Sequence, residues 1–249
     1  MGSRKKNFHN HNDIMIEFIG IPGVGKTTLS HMLAKSLSVK GFHVNEPTYK
    51  INSKKEFFKK ITKLLYIIRI LITAPNICMY AIKIILKTHQ KSFKDFIKTG
   101  TNLLFVIAII KSNSIKKGIH ILDQGFFQAL WSIEYSAHHL IKPLDLKQLI
   151  EMVYSKPLLI IDLHVKHTEV LKRLHQRKSN YSRIERDVLE ALPNHIQISN
   201  EILSQLKHDI SVINIDEKKL KVISLSNDSN EQLDINTVVI DQYIQELCL

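Results

Sequence analysis

The stretch Gly20-Ile-Pro-Gly23-Val-Gly25-Lys26-Thr27-Thr28 constrains this chain more than any other. It fits the spacing G-x-x-x-x-G-K-[ST] and stands between an apolar run, Ile14-Met-Ile-Glu-Phe-Ile19, and a helix-like run, Leu29-Ser-His-Met-Leu-Ala-Lys-Ser-Leu37. Glycines at 20, 23 and 25 let the backbone curl until successive N–H groups point into one concavity. The helix that starts near Lys26 adds its positive end to the same place. The loop, with the amides of Val24 and Thr28, is therefore expected to cradle the phosphates of ATP. Lys26 is expected to reach the β- and γ-phosphates as a point charge, and the Thr27 hydroxyl to ligate Mg²⁺.

With 249 residues, 44% of them hydrophobic, the chain can bury one sizeable core. A single domain is expected over 14–249, preceded by a disordered basic tail over 1–13. Met1–Asn7 carries positive charge with no apolar run behind it, so no secretory leader is expected, and Lys6 stands where a myristoylation signal needs Ser or Thr. Two cysteines, Cys78 and Cys248, make neither a disulfide framework nor a thiolate zinc site. A reducing, cytoplasmic setting is the expectation. The net charge of +12 is uneven: residues 50–117 hold 15 Lys and Arg against two acidic residues, so the whole excess lies there.

Along the chain, Ile14–Ile19 reads as a strand buried on both faces, as in a parallel sheet. Its helix ends at Lys40-Gly41, and Phe42–Glu46 is a short second strand closed by Pro47. Residues 53–113 read as three helices, broken at Thr73-Ala-Pro75 and around Gln90-Lys-Ser92. In the first of them Phe57, Phe58, Ile61, Leu64, Leu65, Ile68 and Leu71 recur at helical spacing among Lys54, Lys55, Lys59, Lys60 and Lys63. Lys63, Arg69, Lys83 and Lys87 interrupt every stretch long enough to span a bilayer, so no transmembrane helix is expected. Ile119–Asp123 is a third strand that ends in a carboxylate, and helices follow over 126–139 and 144–154. Pro157–Val165 is a fourth strand, and Thr168 can cap the helix after it. Either Ile210–Ile215 or Leu220–Leu225 supplies the fifth core strand, the other lying at an edge; a helix over 232–247 closes the chain. Strands alternating with helices argue for a doubly wound, mainly parallel, five-stranded sheet with helices on both faces and a helical insertion between strands 2 and 3.

The order of these features resembles the nucleoside monophosphate kinase group of P-loop kinases, thymidylate kinase most closely. The matching positions are Gly20–Thr27, Glu46-Pro47-Thr48 after strand 2, Asp123-Gln124 after strand 3, and Arg173, Arg177, Arg183 with Glu185 in the place of an arginine-rich lid over 173–187. The resemblance implies ATP-dependent phosphoryl transfer to a nucleotide, nucleoside or nucleotide-like metabolite. Asp123 would join Thr27 in the magnesium shell, Arg173 would touch the nucleotide, and Arg177 and Arg183 would close over the developing charge. Gln124 stands where the family has an Arg that clamps the acceptor's phosphate, and the basic helices 53–113 replace the substrate-binding segment. A neutral amide cannot pair a phosphate as a guanidinium fork does. An alcohol acceptor is therefore as well supported as a phosphate-bearing one, with Glu46 as its base.

Gln124 and Phe127, and less favoured Trp131, are candidates to line the acceptor pocket. Thirteen histidines, including His138-His139, show no ligand spacing that would hold a metal. A GTPase would need N-K-x-D and D-x-x-G, and neither is present; an AAA-type ATPase would want Asp-Glu at the end of its Walker B strand, which neither Leu122-Asp123-Gln124 nor Ile161-Asp162-Leu163 supplies. An ATPase or switch without an acceptor stays as the second reading. The interleaved lysines and apolar residues of 53–113 are read first as core or as a homodimer interface. Association with an anionic membrane is a less favoured reading of the same segment, and specific nucleic-acid binding is not expected.

Overall fold

A computed structural model describes residues 13–176, 192–213, 215 and 219–247. Its sheet holds five parallel strands in the spatial order β2-β3-β1-β4-β5. These are β1 (Ile14–Ile19), β2 (Val44–Asn45), β3 (Ile119–Leu122), β4 (Leu158–His164) and β5 (Leu220–Ser226). In β1, β3 and β4 nearly every side chain is buried, as two covered faces require, and this is why their sequences are unbroken apolar runs. The edge strands are shorter or more polar, and β2 shrinks to two residues.

Helix α1 (Lys26–Val39) follows β1, and the short α2 (Pro47–Asn52) follows β2. The segment between strands 2 and 3 folds as α3 (Glu56–Thr73), α4 (Pro75–Lys87) and α5 (Phe93–Ser114), with the breaks where Pro75 and Ser92 announce them. Ser92 caps α5, accepting a hydrogen bond from the Asp95 amide at 3.0 Å. Beyond β3 come α6 (Phe126–Tyr135), α7 (Pro143–Val153), α8 (His167–Gln176), α9 (Leu192–Val212) and α10 (Asn230–Leu247). Helix α6 stops at Tyr135, short of the expected 139. Helix α8 begins at His167, which puts Thr168 inside its first turn rather than at the cap.

Two expectations are overturned. Ile210 lies within α9 and buries its side chain there, so 210–215 is no edge strand; a β-branched apolar run imitates a strand where a helix end reaches the core. Of the reading of α3 as core or dimer interface, the core half fails for Phe57, Phe58, Ile61, Leu64, Leu65, Ile68 and Leu71, each 40–69% exposed, while Ile70 among them is buried. The core lies instead under α5, whose Leu103–Ile110 is buried all round. Among the described residues no single helix is long and apolar enough to cross a membrane.

At the centre of this packing is an ionisable group. Glu17 of β1 is fully buried; its Oε2 accepts a hydrogen bond from the Phe127 amide at 3.2 Å, and its Oε1 accepts one from the Tyr154 hydroxyl. The carboxylate thus satisfies the open N-terminal end of α6 from below. Gly125 is what permits it, because a Cβ there would run into the Glu17 carboxyl. Burial dominates nonetheless and pushes the Glu17 carboxyl up to about 7, against the lowering by its three hydrogen bonds. Glu134 of α6, also buried, is raised to about 7 for the same reason, and only the Ile141 amide offsets it.

A carboxyl whose folded pKa lies above its unfolded one gives stability that is complete below the unfolded value and is lost as pH rises through the folded value. A rise from 4.5 to about 7 at Glu17 corresponds to on the order of 3 kcal/mol lost between pH 4.5 and 7. Urea unfolding of the wild type and of Glu17→Gln is therefore expected to show the mutant gaining on the wild type as pH goes from 5 to 8. A constant difference between the two across that range would show that Glu17 titrates like an exposed carboxyl.

Candidate active site

Because β1 and β3 are parallel neighbours in the register Glu17↔Leu122, the loop after β1 and the residue after β3 emerge side by side. Gly20, Gly23 and Gly25 all have positive φ (148°, 95° and 94°), the conformation that the curled loop demands of glycine. At Gly20 a Cβ would stand 2.6 Å from the Leu163 carbonyl oxygen of β4, so the loop also lies too close to its neighbour for any side chain. The Lys26 ammonium folds over the loop, donating to the carbonyls of Gly20 (2.6 Å) and Ile21 (3.0 Å). Thr28 follows in the first turn of α1.

The Thr27 hydroxyl donates to Asp123 Oδ2 at 3.0 Å across 96 residues of sequence. Asp123 is 3% exposed, and its Oδ1 is buried with no hydrogen-bond partner among the described residues. A buried carboxylate oxygen left unpaired is costly, and a divalent cation would satisfy it. This hydroxyl–carboxylate pair of hard oxygen ligands beside a phosphate-shaped loop fits Mg²⁺. No group of three or more His, Cys, Asp or Glu among the described residues makes a metal site of its own.

Glu46, at the end of β2, is held by His31 of α1, whose Nδ1 lies 3.1 Å from Oε2, and His31 stacks on Tyr49 of α2. Burial pushes the Glu46 carboxyl above its usual range; the bond and charge of His31 oppose the rise, and the Asp123 charge adds to it. Glu46 therefore shares the field of Asp123 while standing outside the ring of residues around the main cavity.

That cavity, about 570 Å³, opens beside the phosphate loop. Its floor is Pro22, Gly23, Gly25, Lys26 and Thr27; Gln124, Gln128, Trp131 and Tyr135 form one wall. The opposite wall comes from the insertion, through Lys60, Lys63 and Ile67 of α3 and Lys98, Asn102 and Phe105 of α5. None of its described lining residues is acidic. Burial lowers the pKa of Lys63, the neighbouring Lys59 charge lowers it further, and its ammonium sits 4.9 Å above the Phe105 ring. The side-chain oxygen of Gln128 is buried without a partner among the described residues. Trp131 donates to the Ser199 carbonyl at 3.1 Å and stacks on Tyr135. Gln124 lines the cavity as the sequence suggests. Phe127 does not: it is fully buried against Phe126 and Tyr154, one position round α6 from the wall.

Arg173 of α8 lies behind the loop, donating Nε to Glu169 (3.0 Å) and Nη2 to the Asn227 carbonyl (2.9 Å). Arg177 and Arg183, with Glu185, lie outside the described residues. Asn227, which the sequence reading passed over, is the brace of the loop. Fully buried beyond β5, it donates Nδ2 to the Val24 carbonyl at 2.7 Å and its amide to His164 at 2.9 Å. A lone Asn after an edge strand carries no motif; only the parallel pairing of β4 and β5 brings it here.

No protein-family model matches the chain, and no curated protein matches it. Among solved structures it is similar to a shikimate kinase from Bacteroides thetaiotaomicron, with a TM-score of 0.50 and 12% identity over 93% of this chain and 98% of that one. It is also similar to a thymidylate kinase from Ehrlichia chaffeensis, with a TM-score of 0.42 and 18% identity over 94% and 99% of the two chains. The five-stranded parallel sheet and its helices are the fold of P-loop kinases.

Removing the Asn227 amide leaves the Val24 carbonyl unpaired and unpins the loop. Asn227→Ala is expected to cost about 1–3 kcal/mol in chemical unfolding. It is also expected to weaken binding of a fluorescent ATP analogue, through the loop backbone at Val24. A destabilised variant with unchanged affinity would show that the brace does not shape the loop.

Proposed function

We propose that this protein transfers the terminal phosphoryl group of ATP to a small anionic acceptor. The observation that carries the reading is the cavity shared by the phosphate loop and the helical insertion, with Lys26, Lys60, Lys63 and Lys98 around it and no carboxylate among its described lining residues. A non-transferring ATPase needs no chamber beside its phosphate loop. A nucleotide, or a nucleotide-like metabolite with a phosphate or carboxylate, suits these ammonium groups, and the Trp131 and Tyr135 rings suit a flat apolar portion. The lysines of α3 and α5 would supply the charge that Gln124 cannot.

Catalysis in such a site is positioning and charge stabilisation. The loop amides from Gly23 to Thr28 hold the triphosphate, and Lys26 leaves the Gly20 and Ile21 carbonyls to bridge its outer phosphates. Thr27 and Asp123 would hold Mg²⁺, which when bound neutralises charge on the phosphates. The Glu46 carboxyl, raised by burial and standing in the field of Asp123, is suited to accept a proton where the accepting atom is a hydroxyl. Arg173, beside the loop, with Arg177 and Arg183 later in the sequence, are the candidates to close over the transferring group.

The test is ATP consumption by the purified protein with Mg²⁺, with and without pools of nucleoside monophosphates, nucleosides and sugars. Turnover is expected only with a pool that carries negative charge. It is expected to fall about a hundredfold or more in Lys26→Ala, the magnitude of losing one transition-state donor. With the acceptor in hand, Lys63→Met is expected to raise the acceptor's KM and leave that of ATP unchanged. Glu46→Gln is expected to lower kcat if the acceptor is an alcohol. Turnover independent of every pool would instead favour an ATPase or switch.

A further inference from the structure

Helix α3 is anchored by one face only. Ile70 is buried, Tyr66 meets the Phe105 ring edge-on at 6.0 Å, and Lys63 lies over the same ring, so α5 fixes which side of α3 turns inward. The outward side is apolar along the whole helix. Phe58, Leu65 and Ile72 recur every seven residues at 59%, 61% and 75% exposure, and the positions between them on that side are apolar too. At about 100° per residue this arc spans roughly 140°, and the eighteen residues of α3 carry it over roughly 27 Å.

Charge decides what covers it. At the margins of the arc stand Lys60 on one side and Arg69 on the other, with Lys54 and Lys55 just before the helix; Glu56 is the one acidic residue of α3. A second copy fits poorly. Either pairing of two such arcs gathers the Lys60 and Arg69 margins of both copies along one seam, where α3 offers only Glu56, at its first position, to offset them. That leaves an excess of cations beside a desolvated seam. An apolar arc flanked on both sides by cations is instead complementary to a surface with an apolar interior and anionic headgroups. Neither α3 nor α4 alone is long and apolar enough to cross a membrane, and the two are bent by 110° at their junction, so α3 would lie along such a surface.

We infer that the outer face of α3 is a docking surface for anionic lipid bilayers, with its apolar arc in the headgroup boundary and Lys60 and Arg69 against the phosphates. Lys60 and Leu64 belong both to this margin and to the cavity beside the phosphate loop, so docking holds the cavity's α3 wall at the lipid surface. This inference stands independently of which acceptor, if any, the cavity takes.

The experiment is flotation of the full chain with phosphatidylcholine vesicles, with and without phosphatidylglycerol. Binding is expected only to the phosphatidylglycerol vesicles and is expected to weaken as salt is raised. The triple variant Phe58→Ser, Leu65→Ser, Ile72→Ser keeps every charge, including those of residues 1–12, and is expected to bind at least about tenfold more weakly. Circular dichroism is expected to show it folded, because all three side chains are exposed. In Phe58→Trp the added fluorescence is expected to shift to the blue on these vesicles. Absence of wild-type binding at low salt would overturn the inference. So would equal binding by the triple variant, or a wild-type dimer that the triple variant dissolves while neither binds vesicles.

Discussion

The parallel pairing of β1 between β3 and β4 is the constraint on which the rest depends. Parallel strands share a direction, so their carboxyl ends open on one edge of the sheet, and what leaves that edge is brought together whatever its distance in sequence. The phosphate loop leaves β1 there, Asp123 leaves β3, and Asn227 leaves β5 one strand beyond β4. The Thr27–Asp123 hydrogen bond is a consequence of that register, and so is the Asn227 brace on Val24. A hairpin-built sheet would scatter these groups to opposite ends.

The same geometry sets a cost. For Asp123 and Gln124 to reach the loop, α6 must start close above β1, and its unsatisfied amides then face the sheet interior. Glu17 answers them with a carboxylate in the core, where an apolar residue would pack at no electrostatic expense. Gly125 keeps the two close enough, and Tyr154 binds the second oxygen. Local stability is thereby exchanged for a fixed position of the strand-3 edge, on which the candidate magnesium pair depends.

What could be read from the sequence was whatever rests on local pattern. The glycine spacing, the continuous apolar strands and the breaks at Pro75 and Ser92 each have a local physical cause, and the structure follows them. The residues that were missed acquire their meaning from partners far along the chain. Asn227 is one such case, and Lys60 and Lys63 become cavity walls only because α3 leans on α5. Phe127 and Trp131 both follow Asp123 on α6, yet its rotation buries the first in the core and turns the second towards the cavity. The stripe on α3 misled for a different reason: helical periodicity reports an apolar face but not what the face meets. In this chain α5, apolar all round, had already taken the place in the core.

That division of labour explains why the charge of the chain is concentrated between strands 2 and 3. If the acceptor is anionic, the cations that hold it must come from somewhere, and after β3 the chain offers Gln124 rather than an arginine. An insertion that lies across the cavity can present ammonium groups from above, from successive turns of α3 and from α5, without disturbing the strand edge that Glu17 holds in place. A helix used in this way has two faces with different tasks. The inner one carries Lys63 over the Phe105 ring, whose face tolerates a cation. The outer one is freed from the core and can carry an apolar arc at no cost to packing. On the proposed reading the basic character of one segment would serve both faces of a single helix.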